Sequence, residues 1–450
     1  MKKNIGILGL GVTGTSLYKY FVSKGYNKIL CYDDQAAKRK SFLSRFDDAT
    51  IIDISDSCWK NLDVIYLSPG ISSEHKIYDI STKYSIGISS DIDLFYSQNI
   101  NSKFIAITGT NGKTTVTSLV FHIMKSAGID CDVGGNIGQP VLNMRFGKAF
   151  YILELSSFQI DLLKIFKPTL SLIVNIFPDH LDRYKDFTSY IHSKFKLCML
   201  SDINVIGIFN DITSKFYTEY TKSYPNKHII TFFHSSIYNY DSRMDSNSLY
   251  IKNSTIIDNI SGKTYHLPDK INLLGDHNQS NILAGYIICR IFNIPATQIL
   301  QYIRSFESLE HRLQYIGYKY KISFYNDSKA TNSNATKSAL LALEDILWIL
   351  GGVCKETDFS ALDVALLNVR KAYVFGKDRL ILSRYLEGKL ALELFDCLDE
   401  AFLKAVEDAG LLNRSCNILL SPVAASFDQF SNFMHRGNHF VDLVKQFLIK

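Results

Sequence analysis

The chain has 450 residues, 46% of them hydrophobic and 21% charged, which is room for about three domains and too apolar for a disordered chain. Its net charge of +5 is too mild for a nucleic-acid protein, which would carry a concentrated basic stripe, but it leaves room for an anionic small molecule. No apolar run approaches about 18 residues, so neither a spanning helix nor a membrane partner is expected.

Met1-Lys2-Lys3 followed by Ile5, Ile7, Leu8 and Leu10 mimics a signal peptide. Gly6, Gly9, Gly11 and Gly14 interrupt that stretch, however, and no small-residue cleavage site follows. It reads instead as a strand over residues 5–10 with a glycine turn, and the chain is expected in the cytoplasm. The eight cysteines are scattered without C-x-x-C spacing and read as buried thiols of a reducing compartment. A helix over 15–23, a strand over 28–32 and another over 64–67 complete a first parallel α/β unit. It closes near residue 95, before the polar break at Asn99, Asn101 and Ser102.

A second α/β unit opens with a strand over 104–107 and continues with strands over 151–155, 170–176 and 205–209. Residues 213–265 are polar and read as irregular strands at its edge, and 271–292 return to a helix. A third unit begins near 306, with strands over 322–325, 347–350, 372–375 and 417–420 and helices between them. No internal repeat is evident.

Two loops are expected to carry phosphate chemistry, although the first by itself also fits a glycine turn with no ligand. Gly9-Leu10-Gly11-Val12-Thr13-Gly14 follows a strand and opens a helix, so it offers a tight turn and free helix N–H groups to an anion. Asp33 and Asp34 end the second strand, where a dinucleotide enzyme would bind ribose. Thr108-Gly109-Thr110-Asn111-Gly112-Lys113-Thr114-Thr115 follows a second strand and leads into a helix over 116–126. Its backbone N–H groups would cradle phosphates, Lys113 would neutralise them, and the Thr114 hydroxyl would face Mg²⁺. The strict pattern fails at one place, where Ile107 stands for the first glycine.

The second loop resembles the ATP loop of the Mur ligases, which build the peptide stem of peptidoglycan and to which folylpolyglutamate synthases are related. Further stretches match in family order: Gly134-Gly135-Asn136-Ile137-Gly138, Glu154 to Gln159, Asn175 to Tyr184 (through Asp179-His180-Leu181-Asp182-Arg183), Gly275-Asp276-His277-Asn278, and His311-Arg312-Leu313. The glycine loop, Asn326-Asp327-Ser328-Lys329-Ala330-Thr331-Asn332, and the tail from Ser421 to Phe430 with Phe433, Arg436 and Gly437 are similar to the D-glutamate-adding branch. The Asn-Pro-Arg motif of the diamino-acid-adding branch is absent.

The resemblance implies an α/β chain of three domains: a Rossmann-like UDP-binding domain (1–95), a central P-loop ATPase-type domain (96–305) and a C-terminal Rossmann-like domain (306–450) that takes the amino acid. It implies an ATP-dependent ligase acting on UDP-N-acetylmuramoyl-L-alanine and D-glutamate as a monomer, with two Mg²⁺ ions. Gly11, Val12, Thr13, Gly14, Asp33, Asp34, Ser68, Pro69, Gly70 and Asn136 would receive the UDP-sugar. Gly109 to Thr115, Asn278, Arg312 and Asp327 would receive ATP. Thr114 and Glu154 would hold one Mg²⁺ ion; His180 and a carbamylated Lys194 would hold the other, with Lys196 close enough to leave the register open. Lys329, Thr331, Lys355, Ser426 and Phe433 would receive D-glutamate, although Gly351-Gly352-Val353-Cys354-Lys355 departs from the usual polar loop. His435 and His439 stand at i, i+4, but with no carboxylate beside them in sequence they read as solvated or end-cap residues. Another Mur ligase or a folylpolyglutamate synthase-like ligase is the nearest alternative. An NAD-dependent oxidoreductase would leave Lys113, Glu154, His180 and Arg312 without a role, and a non-catalytic ATP-binding module would not need the metal and carboxylate sites together.

Overall fold

The computed structural model describes residues 3–55, 57–181, 183–234, 247–268, 271–412 and 414–449. The chain divides into two compact units, one made of residues 1–268 and 280–303, the other of 269–279 and 304–450.

The first unit carries two sheets. The smaller is built from β1 (Ile5–Leu8), β2 (Ile29–Tyr32), β3 (Thr50–Ile51), β4 (Val64–Leu67) and β5 (Gly87–Ser89) in the order β3-β2-β1-β4-β5, with every pairing parallel. Chain order reverses between β1 and β4, and the crevice at the carboxyl ends of such strands is where open α/β sheets bind ligands. The larger sheet contains β6 (Lys103–Thr108), β7 (Cys131–Gly135), β8 (Phe150–Glu154), β9 (Leu170–Ile173), β10 (Ile203–Gly207), β11 (His228–His234), β12 (Ser248–Lys252), β13 (Thr255–Asp258) and β14 (Lys263–His266). Its order is β14-β13-β12-β11-β10-β9-β6-β8-β7. Central β6 lies between β9 and β8, so the loop after it opens at a second reversal point.

One hydrophobic core joins these sheets. Ile5, Leu17 and Phe21 from the small sheet and its first helix pack in the same cluster as Phe104, Tyr151 and Leu153 from the large one. Buried Asp93 fastens the junction by accepting the N–H groups of Lys164, Ile165 and Phe166 at 2.9, 3.1 and 2.9 Å. Asn99, which reads in sequence as part of a polar break, is buried. It donates to the Phe95 carbonyl and accepts from the Gly147 N–H and the Tyr151 hydroxyl. A polar side chain hydrogen-bonded inside the protein leaves no signature of burial in composition.

The second unit is built from β15 (Gln314–Lys319), β16 (Ile322–Asn326), β17 (Ile346–Gly351), β18 (Val369–Phe375), β19 (Ala391–Phe395) and β20 (Cys416–Leu420), ordered β15-β16-β20-β17-β18-β19. Only the β15–β16 pairing is antiparallel. Trp348, Leu350 and Val374 face one buried cluster and Leu347, Ile349 and Tyr373 another. This two-sided burial explains why β17 reads as a continuous apolar run.

The two glycine-loop helices begin earlier than their apolar spacing suggests, at Val12 and Lys113, because their first turns are polar. The stretch 213–265 also differs from its sequence reading. It begins inside a helix, Asp211–Ser223, whose N-terminus is capped by the Asn210 side chain accepting from the Thr213 N–H. The strands that follow do form one edge of the large sheet, and residues 235–246 lie outside the described residues. Among the described residues no helix is long and apolar enough to cross a membrane.

Candidate active site

In the first glycine loop each glycine does a different job. Gly9 adopts φ +91°, and a Cβ on Gly14 would sit 1.9 Å from the Gly9 carbonyl oxygen, whereas a Cβ on Gly11 would meet nothing within 4 Å. Gly9 therefore makes the turn, Gly14 allows the helix Val12–Ser23 to close on it, and Gly11 is the open position. Asp33 braces this turn from β2, its carboxylate accepting the N–H groups of Leu10 and Gln35 at 2.8 and 2.9 Å. Asp34 is the exposed neighbour, 3.2 Å from His75 Nε2. Ser68, at the end of β4, donates to the Gly9 carbonyl at 2.8 Å. A cleft of about 460 Å³ opens at Gly11 and Val12. Lys19, Lys38 and Arg45 line it with no acidic residue among them, a field suited to an anion.

The second loop is strained in the way a phosphate cradle requires. Gly109 has φ +153° and Gly112 φ +80°, and a Cβ on Gly112 would lie 2.2 Å from Asn281 Oδ1. Asn175 supports the loop from the neighbouring strand end, accepting the N–H groups of Thr110 through its carbonyl and of Asn111 through its side chain, both at 2.9 Å. Thr114 lies in the first turn of the helix Lys113–Ser126, not at a strand end. Lys113 Nζ donates to the carbonyls of Gly109 and Thr110, each at 2.8 Å.

Lys194 reaches the same loop from the helix Phe187–Leu200. Its side chain is 1% exposed, and Nζ donates to the Gly109 carbonyl at 3.0 Å and Thr108 Oγ1 at 3.3 Å. Two ammonium groups thus converge on one carbonyl oxygen. Burial first, and the Lys113 charge second, hold the Lys194 amine well below the usual lysine range. Lys196 points elsewhere and donates to the carbonyls of Asp161 and Leu163.

Glu154 ends β8 opposite Ile107 of β6. It is 2% exposed; Oε1 accepts from Asn136 Nδ2 at 3.1 Å, while Oε2 is buried with no hydrogen-bond partner among the described residues. An orphaned carboxylate oxygen beside a phosphate loop fits a hard cation. His180 has φ +55° and packs on Phe158 with ring centroids 4.9 Å apart. Asp182 lies outside the described residues. Among the described residues no three His, Cys, Asp or Glu side chains gather around a point, so a metal here would need hydroxyl, phosphate or carbamate oxygens as well.

In the second unit the ends of β16, β20 and β17 bring distant residues together. Asp327 is buried, its carboxylate accepting the Leu313 N–H at 3.0 Å and the Ser421 hydroxyl at 2.8 Å, and burial pushes it up to about 7. Buried His311 adopts φ +64° and accepts from Asn326 Nδ2, and a Cβ on Gly437 would lie 2.2 Å from its Nδ1. Arg312 is next in the chain. Lys329 lies over the Phe433 ring at 5.1 Å. Gly351 and Gly352 have φ +145° and +129°, and a Cβ on either would strike a backbone carbonyl near 2 Å, at 1.9 and 2.1 Å. A two-way bridge between Val353 and Ala425 then places the Lys355 loop beside buried Ser426. Arg436, fully buried, ties this corner by donating to both Ser328 oxygens and the Gly351 carbonyl. Thr331 follows Lys329 in the same loop, and Asn278 Nδ2 donates to the Leu274 carbonyl at the start of the helix Asp276–Ile291.

Comparison with known proteins fits this pairing of loops. Residues 3–89 match the Mur ligase MurD-like N-terminal domain and residues 107–289 the Mur ligase middle domain. The chain is 41% identical over 449 residues to the UDP-N-acetylmuramoylalanine–D-glutamate ligase of Rickettsia prowazekii, covering 99% of this chain and 98% of that one. The chain belongs to the Mur ligase family. The like-named ligase of Wolbachia pipientis wMel is 32% identical, with 97% and 95% covered. Among solved structures, the UDP-N-acetylmuramate–alanine ligase of Thermotoga maritima shares the fold with a TM-score of 0.60 at 16% identity, over 99% of this chain and 100% of that one. A pseudomurein peptide ligase of Methanothermus fervidus gives 0.59, also at 16% identity, over 99% and 100%.

Within this Mur ligase, Lys113, Lys194 and Glu154 gather around the second glycine loop, and Lys329, Phe433, Ser426 and Lys355 occupy one corner of the second unit. His435 and His439 form no metal pair: His439 Nε2 lies 2.8 Å from Asp399 Oδ2, and His435 Nδ1 faces Ser431. Sequence reasoning gave no role to Asn175, which holds the phosphate loop, to the cations of the 460 Å³ cleft, or to Arg183. Asn175 and Arg183 stand inside a quoted motif, and that position was the signal available for them.

Proposed function

We propose that this chain joins D-glutamate to UDP-N-acetylmuramoyl-L-alanine with ATP, in the synthesis of peptidoglycan precursors, and does so as a monomer of three domains at 1–95, 96–305 and 306–450. The observation that carries the reading is full-length identity of 30–41% to relatives bearing that ligase name. The paired phosphate loops support it. The UDP-sugar is received by Gly11, Val12, Thr13, Gly14, Asp33, Asp34, Ser68, Pro69, Gly70 and Asn136. ATP is received by Gly109 to Thr115, Asn278, Arg312 and Asp327. D-Glutamate is received by Lys329, Thr331, Lys355, Ser426 and Phe433.

The substrate carboxylate attacks the γ-phosphorus of ATP, giving an acyl phosphate and ADP. The amine of D-glutamate then adds to the activated carbonyl, loses a proton, and the tetrahedral intermediate collapses with release of phosphate. Lys113 and Arg312 offset the charge that spreads over the transferring phosphoryl oxygens. Thr114 and Glu154 would hold one Mg²⁺ ion and His180 with carbamylated Lys194 a second, and the ions would neutralise phosphate and carboxylate charge. The carbamate forms when the neutral Lys194 amine adds to CO₂ and gives up a proton. Burial beside Lys113 favours that neutral amine.

Phosphate release should be screened over UDP-muramoyl substrates and amino acids. Release is expected with UDP-N-acetylmuramoyl-L-alanine and D-glutamate together. Turnover only with a different amino acid, or nicotinamide-linked turnover without ADP release, would overturn the reading.

A further inference from the structure

Arg183 makes a contact that the ligase chemistry above leaves unused. Its guanidinium donates to three successive carbonyls of the loop after β4: Pro69 at 2.8 Å, Gly70 at 3.3 Å and Ile71 at 2.8 Å. The flat face of the same group lies 4.0 Å from the centre of the Phe158 ring. Phe158 belongs to the short helix Ser157–Leu162, which is locked by a Ser156–Gln159 capping box just after Glu154. The Arg183 backbone N–H in turn donates to the His180 carbonyl at 3.0 Å. One planar side chain therefore connects the turn at the small sheet with the segment that carries His180. A planar fork of five donors can hold three convergent carbonyls, whereas a lysine ammonium is a single point.

The consequence lies on the other side of the loop. No peptide in the described residues is cis, so each N–H points opposite to the carbonyl of its own peptide. With the carbonyls of residues 69–71 turned toward Arg183, the N–H groups of Gly70, Ile71 and Ser72 are turned away from it. That of Ile71 closes on the Ser68 carbonyl at 3.1 Å, while those of Gly70 and Ser72 have no acceptor among the described residues. The turn itself is pinned against Gly9 by Ser68. We propose that Arg183 is a positioning residue for the nucleotide-sugar substrate: it aligns the peptide dipoles of the 69–72 turn so that the Gly70 and Ser72 N–H groups stand ready for an anionic oxygen of that substrate, with Phe158 holding the guanidinium flat. This rests on the reading of the turn as part of the UDP-sugar site.

The test is steady-state phosphate release by the full chain, with each substrate varied in turn, for wild type, Arg183→Lys, Arg183→Ala and Phe158→Leu, together with calorimetric titration by uridine diphosphate. Because Arg183 is exposed, water replaces part of what is lost. The expected change in Arg183→Ala is a nucleotide-sugar KM raised roughly tenfold, the worth of about one charge-assisted hydrogen bond. The KM for ATP and D-glutamate and the kcat should stay within about twofold, Arg183→Lys should recover part of the loss, and Phe158→Leu should show a smaller shift in the same KM. Uridine diphosphate affinity should fall in parallel. An unchanged nucleotide-sugar KM in Arg183→Ala, a fall in kcat alone, or an equal rise in all three KM values would overturn the proposal. If Arg183→Ala fails to fold, Phe158→Leu and Arg183→Lys decide by the same criteria. Failure of wild type to release phosphate would instead count against the ligase reading, and the uridine diphosphate titration would still judge Arg183.

Discussion

Lys113 and Lys194 both donate to the Gly109 carbonyl, so their charges oppose each other at one point. The buried member gives way, and that is the condition a carbamate needs. Lys194→Ala is expected to lose nearly all activity, and a short carboxylic acid added to it should restore part of the rate by taking the place of the proposed carbamate. Lys196→Ala should keep most activity, because its ammonium donates to the carbonyls of Asp161 and Leu163, away from Gly109. Rates with and without the acid check both; rescue confined to Lys196→Ala would move the carbamate to that residue. Asp327 gives a second test at this scale. Burial pushes its carboxyl up to about 7 in the folded chain, from 3.8 for the ordinary side chain. Between these values the folded chain holds a proton that the unfolded chain has released, so stability falls as pH rises from about 4 to 7 and the deficit stays constant above. Asp327→Asn keeps the bond from the Leu313 N–H through its amide oxygen and, with the Ser421 hydroxyl turned to accept from its NH2, a bond to Ser421, without the charge. It should be more stable than wild type by up to about 4 kcal/mol above pH 7, with the gap closing toward pH 4; urea denaturation across that range measures it.

At the scale of elements, the glycine-loop turn separates two kinds of glycine that look alike in sequence. Gly14 is closed off by the Gly9 carbonyl, whereas Gly11 faces open space and carries φ −73°, which any residue adopts. Gly14→Asp should therefore lower the melting temperature by displacing the helix Val12–Ser23 from β1. Gly11→Asp should leave melting nearly unchanged and raise the nucleotide-sugar KM by placing a negative charge where the pyrophosphate approaches. Thermal denaturation and kinetics on the two variants check this, and equal melting temperatures would show that the turn relaxes around Gly14. The helix and strand starts were legible to within a few residues where apolar spacing ran long, as in β1, β4 and β6. Polar elements were not: the helix Asp211–Ser223 packs on the core with the aromatics Phe216, Tyr217 and Tyr220, residue types equally at home in strands, so their spacing amid Thr, Ser and Lys does not mark a helix.

For the whole molecule, the proposed function has its two chemical steps draw on different parts of the chain. The loop Gly109 to Thr115, proposed to take the ATP phosphates, belongs to the first unit, while Lys355 and Ser426, proposed to take D-glutamate, come together in the second through the Val353–Ala425 bridge. Lys355→Ala should raise the D-glutamate KM at least about tenfold, the loss of one charged contact, and still permit formation of the acyl phosphate, which precedes amine attack. Trapping the acyl phosphate by reduction, alongside D-glutamate saturation curves, separates the steps. Loss of the trapped species with an untouched D-glutamate KM would place Lys355 elsewhere.

The sequence by itself determined the parallel α/β class, the two phosphate loops and the family, because those depend on local order: a strand, then glycines where backbone must turn or approach a ligand, then a helix N-terminus. It also marked Lys194, Glu154 and His180 through motifs. Only the tertiary structure decided which lysine is buried, because Lys194 and Lys196 differ by two positions on one helix and their environments are set by Gly109 and by the end of the Ser157–Leu162 helix. It alone showed that Glu154 Oε2 is without a partner among the described residues, that Asp33 is consumed within the glycine turn, and that Arg183 grips the loop after β4, 112–114 residues away in the chain. Burial, electrostatic coupling and the convergence of carbonyls on one guanidinium depend on distances across the fold, and a linear pattern does not carry them.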